Sequence, residues 1–243
     1  MPMKIAVISD IHGNMDAFTR VLSDMEGQGV DEVISLGDNI GYGPESGKVV
    51  RRIRDQKIPS VIGNHELALQ DSTHLERFNK AARISLEKTR ALLTEDEIQF
   101  SVQLEPFLTR HNCRFVHGFP LECPLTYQFQ VTEKKMQRIF TQMTEPVCFT
   151  GHTHCLEAIE WDGHRIRRVP LQEGDTHLKD TSKYILNIGS VGQPRDGDNR
   201  AKYAIFDTRR RTLRIRFIPY DIAAVADKII DSGLPETHGL RLW

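Results

Sequence analysis

The chain has 243 residues, 39% hydrophobic and 27% charged, the balance of an ordinary soluble globular protein that buries a core. Its 32 lysines and arginines nearly cancel 33 aspartates and glutamates, so no global field favours nucleic acid or an anionic membrane. No run approaches the roughly 18 apolar residues of a membrane span, and the expectation is one domain over 1–243.

The first half alternates strand and helix. Met3–Ser9 reads as a strand, leaving no room before it for a secretory signal. Asn14 then opens a helix with Met15, Phe18, Val21, Leu22 and Met25 on one face. Val33–Leu36 is the second predicted strand, Glu45–Gln56 a helix and Pro59–Ile62 a third strand. From His65 to Gln103 the spacing is helical, with Thr94 and Glu97 in a capping-box pattern. This block, about 65–103, is expected to wall or cap a site formed at its start.

Strands dominate from Pro106: Phe107–Thr109, Arg114–His117, Val147–Thr150, Leu156–Trp161, His164–Val169, Tyr184–Ile188, Tyr203–Asp207 and Leu213–Ile218. A helix near Thr132–Gln142 intervenes, Asp162-Gly163 signals a hairpin, and Asp221 caps a last helix through Ile230. Parallel units followed by a meander imply two packed sheets with helices outside. The four cysteines (Cys113, Cys123, Cys148, Cys155) form no Cys-x-x-Cys pair and read as reduced thiols of a cytoplasmic protein.

Chemistry concentrates in an ordered series of blocks: Asp10-Ile11-His12, Gly37-Asp38-Asn39, Gly63-Asn64-His65-Glu66, His117-Gly118 and Gly151-His152-Thr153-His154. At least four directly follow a short apolar run. A borderline-hard divalent cation accepts carboxylate and imidazole together. Asp38 has lone pairs enough to bridge two cations. Asn64 offers a neutral oxygen, and His152 and His154 can serve one ion each. Two cations a few ångströms apart would clamp the attacking and leaving oxygens of an in-line displacement, help that anionic phosphate esters need. Taken singly, each block has a plainer reading: a turn, a strand end, a lone structural histidine. Their order and joint spacing point instead to a dinuclear metal hydrolase.

The five blocks resemble the calcineurin-like metallophosphoesterases, whose signature is D-x-H, G-D, G-N-H-[DE], H and G-H-x-H in that order. Gly41-Tyr42-Gly43-Pro44 and Asn187–Arg195 resemble segments of a small bacterial, phosphodiesterase-type subfamily, so the likeness spans nearly the whole chain. The resemblance implies a four-layer αββα sandwich of two mixed sheets, with the metal site at strand C-terminal ends. It implies Asp10, His12, Asp38 and His154 for one metal, and Asp38, Asn64, His117 and His152 for the other. It gives His65 the catalytic role of protonating the leaving oxygen or stabilising phosphoryl charge. The cofactor implied is two divalent ions, with Mn expected first and Fe, Zn, Ni or Co as alternatives.

Three departures stand out. Protein serine/threonine phosphatases carry an Asp-Arg pair where Gly41 and Tyr42 stand, so His65 lacks an orienting carboxylate. Ile188 replaces a proline before the Gly189 turn, and Glu66 replaces the commoner aspartate. Arg195 either grips a terminal phosphate beside the metals or pairs with Asp196 or Asp198; Tyr42 is the other candidate substrate contact. The expected reaction is hydrolysis of a small phosphorylated substrate, a phosphodiester or nucleotide-like ester favoured, by metal-activated hydroxide. Protein phosphatase, dinucleoside polyphosphatase and non-catalytic interaction scaffold are the alternatives. Arg209–Arg211 with Arg214 and Arg216 reads as a solvated hairpin face rather than a nucleic-acid surface. Oligomeric state is left open.

Overall fold

The computed structural model describes residues 3–121 and 126–243; Cys123, one of the four cysteines, lies outside the described residues. The elements β1 (Lys4–Ile8), α1 (Met15–Glu26), β2 (Glu32–Ser35) and α2 (Ser46–Asp55) follow the expected order. Asn14 caps α1 by accepting from the Ala17 amide at 3.0 Å. Helices α3 (Asn64–Gln70), α4 (Lys80–Leu92) and α5 (Glu95–Val102) follow, with a 3-10 turn at Ser72–Arg77 between the first two. The Thr94 and Glu97 side chains cap each other's backbone at α5 as the sequence predicts. Beyond lie β3 (Phe107–Arg110), β4 (Cys113–Val116), α6 (Glu133–Gln142), β5 (Val147–Thr150) and β6 (Leu156–Trp161). The chain ends with β7 (Ile166–Val169), β8 (Gly174–His177), β9 (Lys183–Ile188), β10 (Ala201–Asp207), β11 (Thr212–Ile218), α7 (Ile222–Asp231) and α8 (Glu236–Leu240).

One sheet runs β2-β1-β10-β11-β8, the other β3-β4-β5-β9-β6-β7. Both are mixed: β1/β2, β4/β5 and β5/β9 are parallel, the other pairs antiparallel. Strand alternation sorts the side chains into layers. Ile5 and Val7 of β1 face Phe115, Phe149 and Leu186 of the second sheet in the central core. The intervening Ala6 and Ile8 face outward against Phe18, Val21 and Met25 of α1. On the far side Cys148, Ile159 and Ile185 pack under Met136, Ile139 and Phe140 of α6. The result is the four-layer αββα sandwich.

Three expectations need correction. Pro59–Ile62 is not a strand of its own; it touches its neighbours only through isolated bridges at Ser60 and Val61. Pro59 lacks an N–H, and the chain turns away at once toward Asn64, so no ladder extends. The 65–103 block is helical with its predicted cap at Thr94, but it also breaks at Asp71 and Asn79, whose side chains accept from the backbone that follows. Strand β8 and helix α8 were not foreseen. The first has no apolar alternation because it lies at an exposed sheet edge; the second is only five residues long and contains Gly239. The Ile188 substitution does no harm: the residue is buried as the last rung of β9, opposite Leu156. No helix among the described residues is long and apolar enough to cross a membrane.

Candidate metal centre

All five blocks leave the ends of β1, β2, β4, β5 or the Ser60–Val61 bridge segment and meet at one edge of the sandwich. Their loops are cross-tied by backbone hydrogen bonds: the Asp10 amide donates to Gly37 O at 3.1 Å, His12 to Asp38 O at 2.9 Å, and Gly192 to Asp10 O at 3.0 Å. Asp10, His12, Asp38, Tyr42, His152 and His154 all have φ between 49° and 69°. Such left-handed backbone costs a non-glycine residue of order 1–3 kcal/mol and persists where the surroundings over-determine it. Here the strain turns successive side chains inward. Gly151 is required by proximity, since a Cβ there would lie 1.9 Å from Ser9 Oγ and 2.5 Å from Asp10 Oδ2.

The histidines are oriented as lone-pair donors. His12 Nδ1–H donates to Ile40 O at 3.1 Å, His117 Nδ1–H to Leu36 O at 2.8 Å, and His154 Nδ1–H to Gln193 O at 2.6 Å. A carbonyl only accepts, so each Nδ1 carries the proton and each Nε2 points inward. His12 Nε2 lies 3.0 Å from His154 Nε2, and His117 Nε2 lies 3.1 Å from His152 Nδ1. Two facing lone pairs repel unless positive charge sits beside them. Asp10 Oδ1, buried without a hydrogen-bond partner, is 3.2 Å from His154 Nε2. Asp38 Oδ2 stands 3.2 Å from His117 Nε2 and 3.8 Å from His12 Nε2, between the two histidine pairs. Asn64 Oδ1 completes the second group, 3.0 Å from His117 Nε2.

The ligand atoms of Asp10, His12 and His154 lie within 4.8 Å of one another, as do those of Asp38, His117 and His152. This donor set of carboxylate, imidazole and amide oxygen fits a divalent cation in each group. All seven predicted metal-ligand residues are brought together. Burial, reinforced by the charge of neighbouring imidazoles, pushes the His12 imidazole well below its usual value. Burial likewise holds His65 at about 4 and His152 at about 3, so these rings stay neutral. Burial opposes charge on His117 too, but Asp38 beside it, with Asp10 and Glu66, raises that imidazole to about 9.

Glu66, whose partner the sequence left open, is a backbone clamp. Its Oε2 accepts from the Asp38 and Gly63 amides at 2.9 Å, and its Oε1 from Asn39 at 2.8 Å. It thereby ties the Asp38–Asn39 loop to Gly63. Asp38 Oδ1 accepts from the His65 amide at 2.9 Å, fixing the start of α3. The His65 ring stands among His12, Tyr42 and Phe78, at centroid distances of 4.5, 4.6 and 5.1 Å. Its Nδ1 is buried without a partner, the consequence of Gly41 and Tyr42 replacing an Asp-Arg pair. A Cβ on Gly41, itself at φ +86°, would meet that Nδ1 at 2.2 Å. Orientation of His65 therefore comes from packing.

Arg195 forms neither suggested ion pair. It donates to Gln193 Oε1 at 2.9 Å, while Asp196 Oδ1 takes the buried Lys202 and Asp198 takes Arg200. Its guanidinium lies 5.9 Å from the Tyr42 ring centroid, at the rim of the site. Two neighbours escaped the sequence reading. Tyr127 stacks on His152 with centroids 3.8 Å apart, and His238 packs on Tyr42 at 4.6 Å. Neither belongs to a block, so no spacing could reveal them.

A family model described as the calcineurin-like phosphoesterase superfamily domain matches residues 3–211. The chain is 34% identical over 244 residues to a protein of Methanocaldococcus jannaschii named only as uncharacterized, covering 98% of this chain and 97% of that one. It is similar to a metallophosphoesterase from Sphaerobacter thermophilus in crystal form: TM-score 0.85, 34% identity, 100% of this chain and 98% of the other. A Pyrococcus horikoshii structure matches in fold, with TM-score 0.80 at 16% identity over 99% and 97% of the two chains. The chain belongs to the calcineurin-like phosphoesterase superfamily.

Proposed function

We propose that the protein is a dinuclear-metal-dependent phosphoesterase that favours phosphodiester or nucleotide-like substrates, with Mn²⁺ the first candidate cofactor. The reading rests on one observation above all: Asp38 Oδ2 stands between two inward-facing histidine pairs, each with a further oxygen donor. Asp10, His12, Asp38 and His154 would hold one ion, and Asp38, Asn64, His117 and His152 the other. Bound cations supply charge neutralisation of the phosphoryl oxygens and acidify water to a nucleophile near neutral pH. The chain's own residues orient and exclude. His65, packed against Tyr42 and Phe78, stands where it can donate to a leaving oxygen or to developing phosphoryl charge. Arg195 and Tyr42 form the rim that receives the substrate's remaining anionic groups. We read 1–243 as one domain in which the 65–103 segment walls the site. Arg211, Arg214 and Arg216 pair with Asp180, Asp175 and Asp24, which favours a small substrate over nucleic acid.

The test is hydrolysis of bis-p-nitrophenyl phosphate beside p-nitrophenyl phosphate by chelator-stripped protein titrated with Mn²⁺. Metal-dependent release from the diester is expected. Release from the monoester alone would redirect the reading to a phosphomonoesterase. No release from either, with Mn²⁺ bound, would favour the scaffold alternative.

A further inference from the structure

Three aromatic rings step outward from the metal centre. His152 touches Tyr127 face to face, at 3.8 Å and 24° between planes, and Tyr127 in turn stacks on Phe129 at 4.9 Å and 24°. His152 is buried and Tyr127 half-buried, but Phe129 is 67% exposed. An isolated exposed phenylalanine is unremarkable; one that ends a parallel stack beginning on a metal-site histidine is placed to continue that stack. The rings are also held. Tyr127 precedes and Phe129 lies within a 3-10 turn over Gln128–Gln130, in which the Gln130 amide donates to Tyr127 O at 3.0 Å. A pre-set platform loses little conformational freedom when a ligand ring lands on it.

A cation stands on the rim of the same centre. The Arg195 guanidinium lies 5.9 Å from the centroid of the Tyr42 ring, which itself packs on the metal-site histidine His12. An anionic group joined to a flat ring meets both features at once. We infer that Tyr127 and Phe129 are a stacking platform for the nucleoside of a phosphodiester whose phosphate lies at the metal centre. This rests on the phosphoesterase reading above and narrows its substrate class to nucleoside phosphodiesters. Every nucleobase has a π-face, so the platform selects nucleoside over alkyl substituents without reading base identity. Flat rings in parallel, rather than an aliphatic groove, favour a base over a lipid chain.

The experiment compares thymidine 5′-(p-nitrophenyl phosphate) with methyl p-nitrophenyl phosphate, with Mn²⁺ added. Both release the same phenolate, so the ratio of their kcat/KM values reports recognition of the retained group. Phe129→Ala is expected to lower that ratio about tenfold, the scale of one lost base stack. Phe129→Leu, which keeps an apolar side chain without a ring, should lower it too, and Phe129→Trp should restore it. Since Phe129 is exposed, these variants are expected to fold. Equal ratios in wild type and Phe129→Ala overturn the platform while leaving the phosphoesterase reading intact. If neither ester is hydrolysed, that reading fails, and the platform is judged by calorimetric titration of the thymidine ester. A dissociation constant about tenfold weaker in Phe129→Ala supports it; equal constants, or no binding to the wild type, overturn it.

Discussion

Along the floor of the site, Asp10, His12, Asp38, Asn64, His117, His152 and His154 each stand within a few residues of a strand or bridge end, and three of the histidines have a ring proton fixed by a backbone carbonyl. Along the rim, Tyr42, Tyr127, Arg195 and His238 come from loops and the last short helix, and are held mainly by ring contacts. The floor is over-determined: hydrogen bonds fix His12, His117 and His154, and left-handed backbone angles set Asp10, His12, Asp38, His152 and His154. The rim is assembled by packing between segments far apart in the chain. A cavity behind Tyr42 is lined by His12 as well as by Val225, Ile229 and Leu242, so the C-terminal helices support the rim from outside the blocks. Chemistry common to a family belongs on such a floor; preference for one substrate belongs on such a rim.

The contrast is open to graded attack. The largest effect is expected from Asp38→Asn, which weakens the carboxylate between the two ligand groups. Turnover should nearly vanish together with bound metal, measured by elemental analysis and diester hydrolysis. Full metal content with full turnover would show that the floor is not organised around Asp38. His65→Ala should keep its metal and lose rate by about 10²–10⁴ if the ring is a general acid. An undiminished rate on an ester with a poor leaving group would remove that role. Arg195→Ala, at the rim, should leave metal content intact and raise KM for phosphorylated substrates by roughly tenfold or less, because its charge is half in solvent. Unchanged kinetics would take it out of the site.

The smallest effect concerns the loop that carries Arg195. Asp198 accepts from Arg200 Nη2 at 2.7 Å and Nε at 3.1 Å, which holds its carboxyl at about 2 against an ordinary 3.8. A depressed folded-state value means the stabilisation is present above the ordinary value and lost as pH falls through about 2. The difference in melting temperature between wild type and Asp198→Asn should therefore shrink as pH is lowered from about 5 toward 2. A difference constant with pH would show that the carboxylate charge contributes nothing.

Much of this architecture was legible before any coordinates. The unbroken apolar run Ile5–Ile8 announced a buried strand, Asn14 announced its helix, and the Thr94–Glu97 pair its cap. What escaped were elements without a hydrophobic signal, β8 and α8, and one apparent strand, Pro59–Ile62, whose apolar residues serve a crossing segment.

The sequence by itself determined the candidate ligand set, because metal chemistry restricts which side chains can serve, and strand-end loops keep them in short, ordered blocks. Only the tertiary structure decided how those side chains point: which ring nitrogen is protonated, that Glu66 clamps three amides, that Arg195 leaves Asp196 and Asp198 to other partners. It alone placed Tyr127 on His152 and His238 on Tyr42. Those contacts join residues far apart along the chain, and a contact made by packing leaves no mark in local spacing.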